Sequence, residues 1–160
     1  MLTIQRISEL LDYNKDTGIF VWKIRTSNCI QIGDIAGGLN VDGYLRIKID
    51  GKKYFAHRLA WACVYGSWPV NDIDHIDGIR NNNRISNLRD VTRSVNLQNQ
   101  HRANYDNKTG LLGVSAHRKG FKAKIQIDGK EHCLGTYSTP EKAHEIYLEE
   151  KRKIHSGCTI

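Results

Sequence analysis

The segment from Asn71 to Gln100, NDIDHIDGIRNNNRISNLRDVTRSVNLQNQ, gathers acid, imidazole and amide side chains in an order that packing alone does not require. Asp74 and His75 close a short apolar run, Asn87 follows a loop crowded with asparagine and arginine, and Asn96 lies one short strand further on. The carboxylate of Asp74 and the amide oxygen of Asn96 are hard oxygen donors, the type that a hard divalent cation prefers. His75, if not consumed as a ligand, can take a proton from water near neutral pH. Asn87 can accept the His75 N–H and fix the orientation of the ring. These are the parts needed to hydrolyse a phosphodiester. Asp77 is a further candidate ligand, but the Asp77-Gly78 pair reads as a turn.

The elements around these residues follow from local pattern. Val70 to His75 reads as a strand that the Asp77-Gly78 turn ends. Ile79 to Ser86 is too polar to bury itself and reads as a loop. Leu88 to Thr92 alternates apolar and polar residues as a second strand does, and Thr92 or Ser94 can cap a short helix running to Gln100. A strand, loop, strand and helix in this order would bring Asp74, His75, Asn87 and Asn96 towards one point.

The runs DHIDG, NNNRISNLR and VTRSVNLQNQ resemble the ββα-metal motif of the HNH (His-Asn-His) nucleases, in particular the phage and homing-endonuclease branch. Over about thirty residues the order and spacing match. The resemblance implies Asp74 and Asn96 as ligands of one Mg2+ or Mn2+, His75 as general base and Asn87 as the group that orients it. Where the family name has a second histidine this chain has Asn96, whose amide oxygen suits a hard ion at least as well as imidazole does.

Length and charge set the frame for these residues. A chain of 160 residues allows one domain or two small ones. The start, MLTIQRISELL, is broken by charge within a few residues and no apolar run reaches membrane-spanning length, so the expectation is a cytoplasmic protein without a membrane partner. Cys29, Cys63, Cys133 and Cys158 form no CxxC pair, which argues against a zinc knuckle and a disulfide framework alike. The net charge of +7 makes a polyanion a reasonable partner. Residues 72–100 balance four basic against four acidic side chains, whereas 101–130 carry seven against two. A neutral centre between positive flanks suits a site that holds a cation beside a phosphate while its surroundings grip the backbone of double-stranded DNA.

Ahead of the motif, Ile4, Ile7, Leu10 and Leu11 sit at helical spacing over residues 3–12, with Thr3 as cap. A turn at 14–18 leads into a strand at Ile19–Trp22. Residues 43–49 and 52–56 flank Asp50-Gly51, a hairpin signal that places Arg46 and Lys48 on one face. Those two face solvent or DNA. Residues 57–65 read as a helix ended by Gly66 and Pro69, apolar nearly all round and therefore buried. Arg58 is a candidate phosphate contact, Arg93 another, and His57 is not assigned to catalysis.

Beyond Ala103 three short alternating runs, 113–117, 121–127 and 131–137, are separated by turns at Arg118-Lys119-Gly120 and Asp128-Gly129-Lys130. A helix follows with Pro140 in its first turn and Ala143, Ile146 and Tyr147 on its apolar face. Alternation sets Ala123, Ile125 and Ile127 against that helix and leaves Lys122, Lys124 and Gln126 on the open face beside Ser115 and His117. NKTGLLGV, FKAKIQIDGK and LGTYSTPEKAHEIY resemble the plant ethylene-response-factor (Apetala-type) DNA-binding domain. That resemblance implies a three-stranded sheet laid in the major groove, with Ser115, His117, Lys122, Lys124, Gln126 and Cys133 at contacting positions.

The expected protein is thus α+β. A ββα-metal nuclease domain with an N-terminal antiparallel sheet occupies 1–100, a linker 101–108, and a DNA-binding module of three strands and a helix 109–160. It is expected to nick one strand per active site, as a monomer or weak dimer, with no small-molecule cofactor. Two rivals stand beside it: a non-catalytic DNA-binding regulator on a nuclease-like scaffold, and a toxin-like non-specific nuclease. RNA fits less well, because the C-terminal sheet lacks an exposed aromatic pair for stacking bases.

Overall fold

In the computed structural model, which describes residues 2–160, the chain folds as two compact units, Met1–Thr92 and Arg93–Ile160. Both mix helices with small antiparallel sheets, so the α+β class holds. No helix among the described residues is long and apolar enough to cross a membrane.

The first unit opens with α1 (Ile4–Leu10), which Thr3 caps by accepting the Arg6 N–H. The helix stops earlier than its apolar spacing suggests. Leu11 is extended and begins β1 (Leu11–Asn14), which pairs antiparallel with β2 (Ile19–Trp22). Cross-strand pairing of Leu11 with Trp22 buries both residues, which a further helical turn would not achieve. A second sheet is formed by β3 (Gly38–Leu39), β4 (Leu45–Ile49) and β5 (Lys52–Phe55). Asp50 and Gly51, both at positive φ, make the hairpin turn between the last two.

Against this sheet lies α2 (Ala56–Tyr65), closed by Gly66 in the left-handed region. Ile7, Leu10, Phe20, Ile47, Ile49, Leu59 and Ala60 form the centre of the core. The helix is less enclosed than expected, because Val64 and Tyr65 face outward. A two-stranded ribbon of β6 (Asp72–His75) and β7 (Leu88–Val91) completes the unit, with a 3-10 turn at Ile85–Asn87 between them. Its entry is fixed from two sides. Asp90 accepts the N–H groups of Val70 and Asn71, while Arg58 donates to the carbonyls of Pro69 and Asn71.

The second unit starts with α3 (Arg93–Gln98) and continues, after an irregular stretch, into β8 (Val114–His117), β9 (Gly120–Ile127) and β10 (Lys130–Tyr137). The sheet order is β10-β9-β8, all antiparallel. α4 (Pro140–Ile154) packs on it, capped by Thr139 and started by proline. Val114, Ala123 and Ala143 are the buried centre of this small core. The apolar stripe of α4 differs from the expected one. Ala143 and Tyr147 are buried, but Lys151 is 1% exposed, with Nζ donating to the Gln100 carbonyl at 2.5 Å. Burial holds its amine below the usual lysine range. The chain end also fastens α3: the Gly157 N–H donates to Gln98 Oε1 and Thr159 Oγ1 donates to Asn99 Oδ1.

Gly113 stands at φ +75, and a Cβ there would fall inside the Tyr147 ring. Gly113→Ala should therefore destabilise the second unit by more than about 1 kcal/mol, since left-handed strain and a clash with a buried ring add. Urea denaturation followed by tyrosine fluorescence checks this.

Candidate active site

Asp74 and His75 lie at the end of β6, where the ribbon pairs them with Arg89 and Leu88. Alternation in a two-stranded ribbon would leave one of them outward, yet both are buried, at 6% and 5% exposure. Burial of a carboxylate demands a partner, and Arg89, directly across the ribbon, donates Nη2 and Nε to Asp74 Oδ2 at 2.7 and 2.8 Å.

The His75 ring meets Asn83, with Nε2 at 3.2 Å from Oδ1. Asn83 is 1% exposed, and its amide nitrogen donates to the Asn81 carbonyl, so its oxygen is the acceptor facing the ring. The proton of the neutral imidazole then sits on Nε2, and Nδ1 carries the lone pair. Burial lowers the His75 pKa, and the opposing pull of Asn83, Asp77 and Asp74 does not restore it. The ring is neutral near pH 7, in the state that accepts a proton.

Asn87 does a different job from the expected one of holding His75. Its Oδ1 accepts the Asp77 N–H at 3.0 Å, while Nδ2 donates to Asp77 Oδ1 at 2.9 Å and to the Asn82 carbonyl at 2.8 Å. It therefore ties the loop that delivers Asn83. Asp77 acts in the same lock, also accepting from Ile79 N and Asn82 Nδ2. Burial raises its pKa, but the hydrogen bonds from Asn82, Ile79 and Asn87 outweigh that and keep it ionised below the usual range. The turn role expected for Asp77 holds. Asn83 was not among the expected residues, although it stands in the run Asn81-Asn82-Asn83.

A second unexpected neighbour is His57, on α2, whose ring meets that of His75 edge-on at 5.1 Å. Phe55 stacks on it at 5.1 Å and Tyr44 meets it at 5.5 Å. Burial, helped by the charges of His75 and Arg58, pushes the His57 pKa down to about 3. Its buried Nδ1 has no hydrogen-bond partner among the described residues, and the same holds for Arg46 Nε.

The candidate DNA contacts fall into three groups. Arg46 stacks on Phe55 at 4.3 Å and Lys48 is exposed beside it on β4. Arg80, on the loop after β6, stacks on Tyr44 at 5.1 Å while donating to the Asp42 carbonyl. Arg58 is spent on the backbone carbonyls before β6, so the expected phosphate contact is replaced by a bracing role. In the second unit Ser115 pairs with Lys122 across β8 and β9, and His117 and Gln126 are exposed. Lys124 forms an ion pair with Glu131 at 2.7 Å. Arg93 opens α3, which also carries Asn96.

As a metal donor, Asp74 offers a hard carboxylate next to a neutral imidazole. No group of three or more His, Cys, Asp or Glu side chains gathers among the described residues.

Residues 54–98 match the family described as HNH endonuclease, so the chain carries an HNH endonuclease domain. An uncharacterised HNH endonuclease of Acanthamoeba polyphaga mimivirus is 32% identical over 111 residues, covering 68% of this chain. This chain spans 57% of that relative's length at the match. No solved structure matches. The match takes in Asp74, His75, Asn83, Asn87 and Asn96 and leaves out the N-terminal hairpin and the C-terminal sheet.

Both buried histidines have folded pKa values below the ordinary 6.5. Their contribution to stability is complete above about pH 6.5 and is lost as pH falls towards the folded values, because the unfolded chain then binds more protons. Between pH 6 and 4.5 His57 should remove about 1.4 kcal/mol per pH unit. Urea melts at stepped pH should show a fall at least that steep, and His57→Phe should make it shallower.

Proposed function

We propose that the chain is a metal-dependent, site-preferring DNA endonuclease of the homing type, in which His75 activates the attacking water. The observation that carries this reading is the hydrogen bond from His75 Nε2–H to Asn83 Oδ1, which sets a buried, neutral imidazole with its basic nitrogen at Nδ1. Nucleases of the HNH family generally use a divalent metal ion, and in the first unit Asp74 would offer Mg2+ or Mn2+ a carboxylate. Bound there, the ion would supply Lewis-acid stabilisation of charge on the phosphate and the departing 3′-oxygen. Asp74 would share its carboxylate between that ion and Arg89. His75 takes the proton from water, and Asn83 keeps the ring from turning over as it becomes charged. Asn87 and Asp77 hold the loop that carries Asn83.

Arg46 and Arg80 add positive charge beside the histidines, and neither meets a carboxylate among the described residues. Each is held on an aromatic face, which leaves its guanidinium edge suited to DNA phosphates. The three-stranded sheet of the second unit would read a groove through Ser115, His117, Lys122 and Gln126, with Lys124 competing against Glu131 for its contacts. One active site cuts one strand, so a monomer nicks.

One observation favours a second reading. Arg89 already satisfies Asp74 without a metal, as a scaffold that only binds DNA would require. Supercoiled plasmid distinguishes the two. The parent protein with Mg2+ should convert it to nicked circles, EDTA should abolish this, and His75→Ala should lower the rate by about two to four powers of ten. A parent protein inert with both Mg2+ and Mn2+ that still binds DNA would establish the regulator instead, and degradation of unrelated DNA to short fragments would establish the toxin-like nuclease. Lys48→Ala should weaken binding uniformly across sequences and reduce the slope of log affinity against log salt by about one.

A further inference from the structure

The hairpin β1–β2 lies outside the matched family segment and has no role in the reaction as described so far, yet it touches the loop that fixes His75 at three points. Tyr13 OH donates to the Asn83 carbonyl at 2.7 Å. The Lys15 carbonyl accepts the Ile85 N–H at 3.1 Å. Gly18, buried at φ +76, lies so close that a Cβ would stand 2.5 Å from Arg84 N and 2.6 Å from the Asn83 carbonyl carbon. No other residue type fits at Gly18 without moving that backbone. The hairpin is itself stiff, because Tyr13 pairs with Phe20 across the strands and their rings stack at 4.6 Å.

The consequence follows from what Asn83 must do. An asparagine amide offers either a donor or an acceptor to an imidazole, depending on which way it faces and where its backbone stands. Here the backbone is pinned through its own carbonyl by Tyr13, and the amide nitrogen is committed to Asn81. The oxygen is then left to face His75 Nε2.

We infer that Tyr13 is a positioning residue of the active site: through Asn83 the N-terminal hairpin selects the His75 tautomer with hydrogen on Nε2 and the lone pair on Nδ1. The inference rests on His75 being the proton acceptor, but its first readout does not require catalysis. In this arrangement the segment 54–98 cannot set its own base. The hairpin is a working part of the nuclease unit.

The test uses the full chain with 15N-labelled histidine and long-range 1H–15N correlation, the His75 signals being assigned by their loss in His75→Gln. The parent should show the Nε2–H pattern. Tyr13→Phe keeps the ring stacking and removes one hydrogen bond, and thermal melting confirms that it remains folded. It should shift the His75 pattern towards a mixture of tautomers and lower kcat by about tenfold, the rate equivalent of one hydrogen bond, with KM within about twofold of the parent. Asn83→Ala should give a larger shift in the same direction. A parent tautomer retained in Tyr13→Phe overturns the inference, whether or not Asn83→Ala changes it. A tautomer shift in Tyr13→Phe combined with a parent that cleaves no DNA leaves the positioning role intact and removes the hydrolase reading.

Discussion

The acceptance of the His75 Nε2–H by Asn83 Oδ1 is the interaction to which most of the first unit is subordinate. A buried imidazole has two nitrogens and no preference strong enough to keep one of them deprotonated in a fixed direction, so the environment must choose. The choice is made by a loop with little apolar content. Beyond Ile85, which packs against the core, it is held by amide and carboxylate groups: Asn87 and Asp77 close it from within, and the hairpin closes it from outside. This is why asparagine is dense here. Each amide both donates and accepts, and can join two backbone segments that no hydrophobic contact would register.

The same site shows a balance of charge that limits where chemistry can occur. Asp74 is buried with Arg89, and the two histidines beside it are neutral because burial opposes a further positive charge. Arg46 and Arg80 lie with their guanidinium groups on aromatic faces. In the proposed reaction a polyanion would meet fixed positive groups around a neutral imidazole, which could accept a proton without competing for the phosphate. The histidines give up acid stability for this, as buried neutral imidazoles must.

In the second unit the tertiary economy is different. Its core is small, centred on Val114, Ala123 and Ala143, and polar fastenings complete it. Lys151 reaches the Gln100 carbonyl, and the chain end bonds to Gln98 and Asn99, so the residues following α3 are held by groups more than fifty positions away in sequence. α3, which carries Asn96, is short and has no buried residue of its own, so these fastenings supply what its apolar face does not.

Much was legible in the sequence, because it depends on local rules. The pairing of β4 with β5 follows from Asp50-Gly51, the three C-terminal strands follow from alternation between turn signals, and α4 follows from Thr139 and Pro140. That Asp74, His75 and Asn87 fall in one short segment was readable for the same reason: side-chain type and spacing are properties of the chain itself. What the sequence could not decide were the partners. It does not show that Asn83 rather than Asn87 meets the imidazole, that His57 lies against His75, that Arg58 is spent on carbonyls, or that Lys151 takes a place in an apolar stripe. Those outcomes depend on which distant backbone groups arrive within hydrogen-bonding reach, and Tyr13 and Asn83 stand seventy residues apart. Local pattern determines the elements; only the folded chain determines which polar groups are left to satisfy one another.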